Sequence, residues 1–159
     1  MRKRLIAASR PSRSEPDRNW LDLEKVASVE VTSEAEGYPV EGALVNDGQP
    51  GWRAGAPGPQ SIRLLFDHPL TILVVRVAFK EMESPRTQEF VLRWLPHGTE
   101  TWKDVVRQQW NFSSPDTVEE CEEYKLELVS ATALELSIIP DISHGSSRAS
   151  LEKFQLSGR

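Results

Sequence analysis

The chain has 159 residues, 38% of them hydrophobic, 27% charged and 8% aromatic, with a formal net charge of −5. That length supports one domain with its own core, and no apolar run approaches the roughly 20 residues a membrane-spanning helix needs. The charge is uneven: residues 1–19 carry six basic and two acidic side chains, whereas residues 20–159 carry 13 basic and 22 acidic ones. An acidic body argues against sustained nucleic-acid binding, because affinity for phosphate comes mainly from Lys and Arg.

The N-terminal stretch Met1-Arg2-Lys3-Arg4-Leu5-Ile6-Ala7-Ala8 places basic residues before apolar ones. The apolar run ends by Ser9, Arg10 and Pro11, short of the roughly 7–15 residues of an export signal. Residues 1–19 therefore read as a basic, disordered leader on a cytoplasmic protein, and residues 20–159 as the folded domain.

Within that domain, Val26–Thr32 alternates Ala27, Val29 and Val31 against Val26, Ser28, Glu30 and Thr32, the period of a half-buried strand. Ser61–Phe66 and Leu70–Phe79 follow as strands, and Asp67-His68-Pro69 between them predicts a hairpin turn. Leu70–Phe79 is apolar at almost every position, which predicts a strand buried on both faces. Glu89–Leu95 sets Phe90, Leu92 and Trp94 on one face, and Pro96-His97-Gly98 closes it. Trp102–Trp110 reads as a strand, although Trp102, Val105, Val106 and Gln109 also fit a helical face. Tyr124–Leu128 and Ala133–Ile139 alternate again, separated by Ser130-Ala131-Thr132. A polar loop over Pro140–Ser147 leads to a last strand, Ala149–Leu156. About eight short strands without long helices between them predict an all-β sandwich or barrel.

The single cysteine, Cys121, has no partner for an internal disulfide. Glu119, Glu120, Glu122 and Glu123 around it repel rather than stabilise a thiolate, so it reads as a buried or bystander thiol.

Three ordered stretches resemble the discoidin domain, also called the coagulation factor 5/8 type C domain, and its bacterial carbohydrate-binding relatives. They are Ala27–Glu34 with Gly37-Tyr38-Pro39-Val40-Glu41-Gly42-Ala43-Leu44, then Asn46-Asp47-Gly48 with Gly51-Trp52-Arg53-Ala54 and Gly58–Phe66, and finally Ala133–Ile138 with Ala149–Leu156. Arg107–Ser113 together with Pro140-Asp141-Ile142-Ser143 is similar to a subgroup of small stand-alone bacterial members. The resemblance implies an antiparallel jelly-roll β-sandwich of about eight strands over residues 26–157. It also implies a structural calcium held by Asp47 and Glu152 with backbone carbonyls. The sequence departs from that pattern at Pro50-Gly51, where the family carries a hydroxyl residue, and the residues favour Asp47 as the cap of a turn with Gly48 and Glu152 as a surface carboxylate or salt-bridge partner. Cysteines that join the ends of extracellular members are absent here.

Saccharide recognition needs an aromatic face for the C–H side of the sugar ring and planar polar groups for its hydroxyls. Arg53, His97, Trp110, Asn111, His144 and Arg148 stand at predicted strand ends and are the ligand-binding candidates. Trp52 matches a core position of the resembled family, and Trp110 or Phe112 also fits a plug at the end of the barrel. Catalytic patterns are sparse: the three histidines, His68, His97 and His144, are far apart in sequence, and Asp141-Ile142-Ser143-His144 joins triad residue types by adjacency alone, which does not make them converge. Glu119-Glu120 and Glu122-Glu123 offer two carboxylates for glycoside cleavage, but read as the polar approach to a strand. The expectation is a non-catalytic module that binds a saccharide, with an intracellular protein-interaction module as the alternative, in a monomer or a homodimer paired through edge strands.

Overall fold

A computed structural model describes residues 19–45, 47–81, 85–113 and 118–159. The basic leader before Asn19 and Asn46 of the Asp47-Gly48 turn lie outside the described residues. The described residues form eight strands: β1 (Ala27–Val31), β2 (Trp52–Pro57), β3 (Gln60–Lys80), β4 (Arg86–Pro96), β5 (Lys103–Phe112), β6 (Glu119–Ile139), β7 (Arg148–Leu151) and β8 (Lys153–Gly158). Two single-turn helices, α1 (Leu23–Val26) and α2 (Glu41–Leu44), flank β1 and precede β2. Every strand pair is antiparallel. The all-β, eight-stranded jelly-roll sandwich expected from the sequence is the fold observed.

The framework is the long pair β3–β6, which stays in contact from Gln60↔Ile138 to Lys80↔Glu119. Its two halves belong to different layers. The first half of β3 carries β1 on its free edge, and the second half of β6 carries β4 and then β5, giving the order β1-β3-β6-β4-β5. The second half of β3 carries β8 instead. The ribbon bends between the halves and folds the layers together, so that Phe79 of one meets Phe90 of the other at a ring separation of 5.2 Å.

That bend corrects the predicted hairpin. Ser61–Phe66 and Leu70–Phe79 do not pair with each other; they are one strand in which the register against β6 slips between Leu65 and Leu70. Pro69 lacks an N–H for the ladder, and it deforms the strand without reversing it. A second slip follows between Leu70 and Ile72, which on β6 falls between Ala131 and Leu128, where Ser130 takes φ 56°. Tyr124–Leu128 and Ala133–Ile139 are accordingly one strand as well. The polar run Glu119–Glu123 lies inside β6 rather than approaching it, and Glu120 is buried.

Leu70–Phe79 is buried on one face, not two: Ile72, Val75, Val77 and Phe79 enter the core, while Arg76 and Ala78 are half-buried on the other side. The segment predicted as Trp102–Trp110 is a strand from Lys103 onward, in β5. The predicted last strand divides at Glu152, with β7 pairing to β2 and β8 to β3. The phase of its apolar residues changes there, from Ala149 and Leu151 to Phe154 and Leu156, which is the pattern of a strand that changes partner. Trp52 is a core residue, 1% exposed, and its indole N–H donates to Ser33 O at 2.9 Å. Phe112 is likewise buried. Cys121 is an exposed thiol, reached by Arg76 Nε at 3.3 Å. No described helix is long and apolar enough to cross a membrane.

Candidate functional site

A cleft of about 230 Å³ opens where β2, the end of β3 and the β7–β8 junction meet. Its floor is Pro50, Gly51 and the buried Trp52, and its walls are Tyr38, Arg53, Lys80, Ser150 and Glu152. Gly51 is needed at the floor: a Cβ there would lie 2.8 Å from Glu152 Cα and would strike the carbonyl of Leu151. The shortened Pro50-Gly51 turn therefore packs directly on the β7–β8 junction and brings Trp52 and Arg53 beside Glu152.

Each wall residue is held by the backbone of its neighbours. Arg53 pairs with Ser150 across β2–β7, its N–H donates to Tyr38 O at 3.3 Å, and its carbonyl accepts from Ala35 N at 2.8 Å. Its guanidinium lies over the Tyr38 ring, 5.3 Å from the centroid, a cation–π contact that fixes both side chains. Tyr38 remains 38% exposed. On the opposite wall Ser150 Oγ donates to Lys80 O at 3.2 Å, and Glu152 N donates to Ala78 O at 2.7 Å. A buried ion pair braces the segment just beyond Lys80: Arg86 Nε donates to Glu81 Oε2 at 2.9 Å, and Arg86 also donates to Pro140 O at 2.7 Å.

Of the candidates named from the sequence, Arg53 and Glu152 face this cleft. Arg148 stands at the far end of the same β2–β7 pair, opposite Pro57. Trp110 is half-buried on β5, packed against the core, with its indole nitrogen inside the protein. Asn111 is exposed next to it and accepts a hydrogen bond from Thr87 Oγ1, and Thr87 O accepts Ile142 N at 2.9 Å, which brings the His144 loop to the start of β4. His97 occupies the exposed β4–β5 turn, and its N–H donates to Ser130 O at 2.8 Å at the bend of the sheet. The candidates thus fall at several places rather than in one site. Tyr38, Lys80 and Ser150 were not singled out as ligand residues in the sequence, although Tyr38 sits in the Gly-Tyr-Pro stretch that carried the resemblance.

Asp47 does not reach the cleft wall; its Oδ1 accepts Gln49 N at 3.1 Å in a turn where Gly48 has φ 80°. Among the described residues no three His, Cys, Asp or Glu side chains gather where they could hold a metal ion. Asp47 thus caps its turn, while Glu152 stands at the cleft. Asp141, Ser143 and His144 form a turn: Asp141 Oδ1 accepts Ser143 N at 2.9 Å, and His144 N donates to Asp141 O at 3.0 Å. That geometry uses the aspartate as a turn cap, not as a partner of the histidine side chain.

Between the two layers lies a second polar group. Glu120 is 3% exposed, and burial together with the neighbouring Glu122 pushes its carboxyl from the ordinary 4.5 up to about 7. Gln108 Nε2 donates to Glu122 Oε1 at 3.0 Å and Tyr124 OH donates to Gln108 Oε1 at 2.5 Å. Burial, then Glu122 and Glu120, hold the Tyr124 hydroxyl well above its usual range.

These features define an antiparallel jelly-roll β-sandwich with a cleft at the β7–β8 junction. Neither a family model nor a curated protein sequence matches the chain. Solved structures share the fold. The family 32 carbohydrate-binding module of Clostridium perfringens NanJ, in complex with galactose, superposes with a TM-score of 0.62 at 11% identity over 86% of this chain and 96% of that one. The C-terminal domain of a Bacteroides fragilis chitobiase gives 0.62 at 15% identity, covering 89% and 98%. A further C. perfringens family 32 module, in complex with GalNAc-β-1,3-galactose, gives 0.60 at 16% identity, covering 88% and 100%.

Proposed function

We propose that this protein is a non-catalytic saccharide-binding module whose site is the cleft between Tyr38, Arg53, Lys80, Ser150 and Glu152. The observation that carries the reading is the side-chain set of that cleft. A partly exposed aromatic ring offers a surface for sugar C–H groups, and cations, a hydroxyl and a carboxylate around it offer donors and acceptors for the ring hydroxyls. The fold it shares with modules solved in complex with galactose and with GalNAc-β-1,3-galactose supports the same reading.

A protein-docking role is less well supported. Among the described residues the exposed large hydrophobics are Tyr38, Val129 and Ile142, which belong to the cleft, the bend of β6 and the loop after it. They do not form the contiguous apolar patch of several hundred Å² that a docking surface presents.

The test is a glycan-array screen of the purified chain followed by titration calorimetry of the hits. Binding to one sugar class that is lost on Tyr38→Ala while the melting temperature is kept supports the assignment. An array without hits removes it.

A further inference from the structure

Polar side chains that enter the interior of a sandwich are ordinarily matched to one another, because an unpaired buried donor or acceptor is costly. At one end of this sandwich they are not. Gln88 and Trp110 are cross-strand partners on β4 and β5, and Glu120 of β6 stands opposite Phe79 of β3. The contact of Phe79 with Phe90, and the bonds of Gln108 with Glu122 and Tyr124, lay β3 over β4 and β6 over β5. The Glu81–Arg86 pair fixes the direction: toward it β4 passes from Phe90 to Gln88, β5 from Gln108 to Trp110 and β6 from Glu122 to Glu120. Gln88, Trp110 and Glu120 therefore meet at one level between the layers. Gln88 is 1% and Glu120 3% exposed. Among the described residues, Gln88 Oε1, Gln88 Nε2, Trp110 Nε1 and both carboxylate oxygens of Glu120 are buried without a hydrogen-bond partner. A proton on Glu120 can be shared with Glu122, which serves one oxygen of Glu120 and leaves the other, the Gln88 amide and the indole N–H unserved.

The mixture of atom types identifies the guest. The indole N–H and the amide NH2 donate, whereas the amide oxygen and the carboxylate accept. A hard metal ion takes oxygen ligands alone and would face two N–H donors, and an anion would face Glu120 and Glu122. Water both donates and accepts through one atom, and it is held inside proteins where two to four polar groups converge. We propose that ordered water is bound between β4, β5 and β6, hydrogen-bonded to Gln88, Trp110 and Glu120, as a structural component of the sandwich. It accepts from Trp110 Nε1 and Gln88 Nε2 and donates to Gln88 Oε1 and Glu120. The site is separate from the saccharide cleft and does not depend on it, but it lies close behind: Glu120 is the chain neighbour of Glu119, which pairs with the cleft residue Lys80. The hydration site thus backs one wall of the cleft.

The experiment uses the full chain in two ways. A crystal structure at a resolution that places ordered water is expected to show density between the three side chains, at about 2.7–3.2 Å from Trp110 Nε1 and from the polar atoms of Gln88 or Glu120. In solution, oxygen-17 magnetic relaxation dispersion counts internal waters that exchange slowly. The wild type is expected to show such a signal, and Gln88→Met, which keeps the side-chain length and removes both amide atoms, is expected to lower it by the contribution of at least one water. Trp110→Phe, which removes only the indole donor, provides a second variant, and circular dichroism of each shows that it is folded. Gln88, Trp110 and Glu120 bonded directly to one another in the crystal would overturn the proposal. So would an ion at about 2.3–2.6 Å from oxygens alone, a wild type without slowly exchanging water, or a signal that both variants leave unchanged.

Discussion

The Arg53 guanidinium lies 5.3 Å from the centroid of the Tyr38 ring, and the two residues are also joined through Arg53 N and Tyr38 O at 3.3 Å. The stack lines the cleft, and Tyr38 is partly exposed there. Replacing Tyr38 with Ala is expected to change stability by less than about 1 kcal/mol, the scale of an exposed cation–π contact, while abolishing measurable saccharide binding. Paired thermal melts and calorimetry separate the two effects. A loss of several kcal/mol in stability would mean that Tyr38 is a structural residue.

Gly51 rests on the junction of β7 and β8, with no space for a Cβ between it and the Leu151–Glu152 backbone. Gly51→Ala must lift the Pro50-Gly51 turn away from that junction and with it the start of β2. The expected cost is about 1–3 kcal/mol, as for other overpacking changes, read by urea denaturation, together with weaker saccharide binding because Arg53 moves relative to Glu152. An unchanged denaturation midpoint would show that the turn can shift freely.

Arg86 and Glu81 form an ion pair that is almost wholly inside the protein, with the Arg86 side chain 1% and the Glu81 side chain 10% exposed. Removing one member of a buried pair strands the other charge, and Arg86→Met is expected to cost about 3–5 kcal/mol. Arg86→Met with Glu81→Gln should recover a large part of that loss. A double-mutant cycle in chemical denaturation measures the coupling, and additive effects would remove the pair as a brace for the segment beside Lys80.

Glu120 supplies a pH-dependent term in stability. Its carboxyl is raised from 4.5 to about 7 in the folded protein by burial and by Glu122, so the folded state binds that proton more tightly than the unfolded chain does. The contribution is present in full below about pH 4.5 and is lost as pH rises through about 7. Glu120→Gln should therefore be more stable than the wild type at pH 8, by on the order of 2 kcal/mol, and the advantage should vanish by pH 4. Melting temperatures of the two proteins across that interval give the answer, and parallel curves would refute it.

Much of the sandwich was legible because strand burial leaves a local record. The alternation of Ala27, Val29 and Val31 and of Phe90 and Leu92 follows from which side chains leave water, whereas the core position of Trp52 was implied by the resemblance. What was misread at Asp67-His68-Pro69 has a local cause too: a proline next to polar residues marks a break in a ladder, but whether the chain reverses or only bends depends on the partner strand. Here β6 is irregular just beyond, between Ala131 and Leu128 opposite Leu70–Ile72, and the expected hairpin is one strand shared by two layers.

The cleft was out of reach for the same kind of reason. Arg53 and Glu152 are 99 positions apart, and Tyr38 and Lys80 come from two further segments. The types of residue suited to a sugar were visible in the chain, but so were Trp110, Asn111, His97, His144 and Arg148, which the fold distributes elsewhere. By itself the sequence determined the all-β class, the alternating faces of Ala27–Val31 and of Phe90 and Leu92, and the uneven charge of residues 1–19 and 20–159, because these depend on neighbours along the chain. Only the tertiary structure decided that Tyr38, Arg53, Lys80, Ser150 and Glu152 share one cleft, because that depends on the β2–β7 register and on a glycine small enough to seat against the β7–β8 junction.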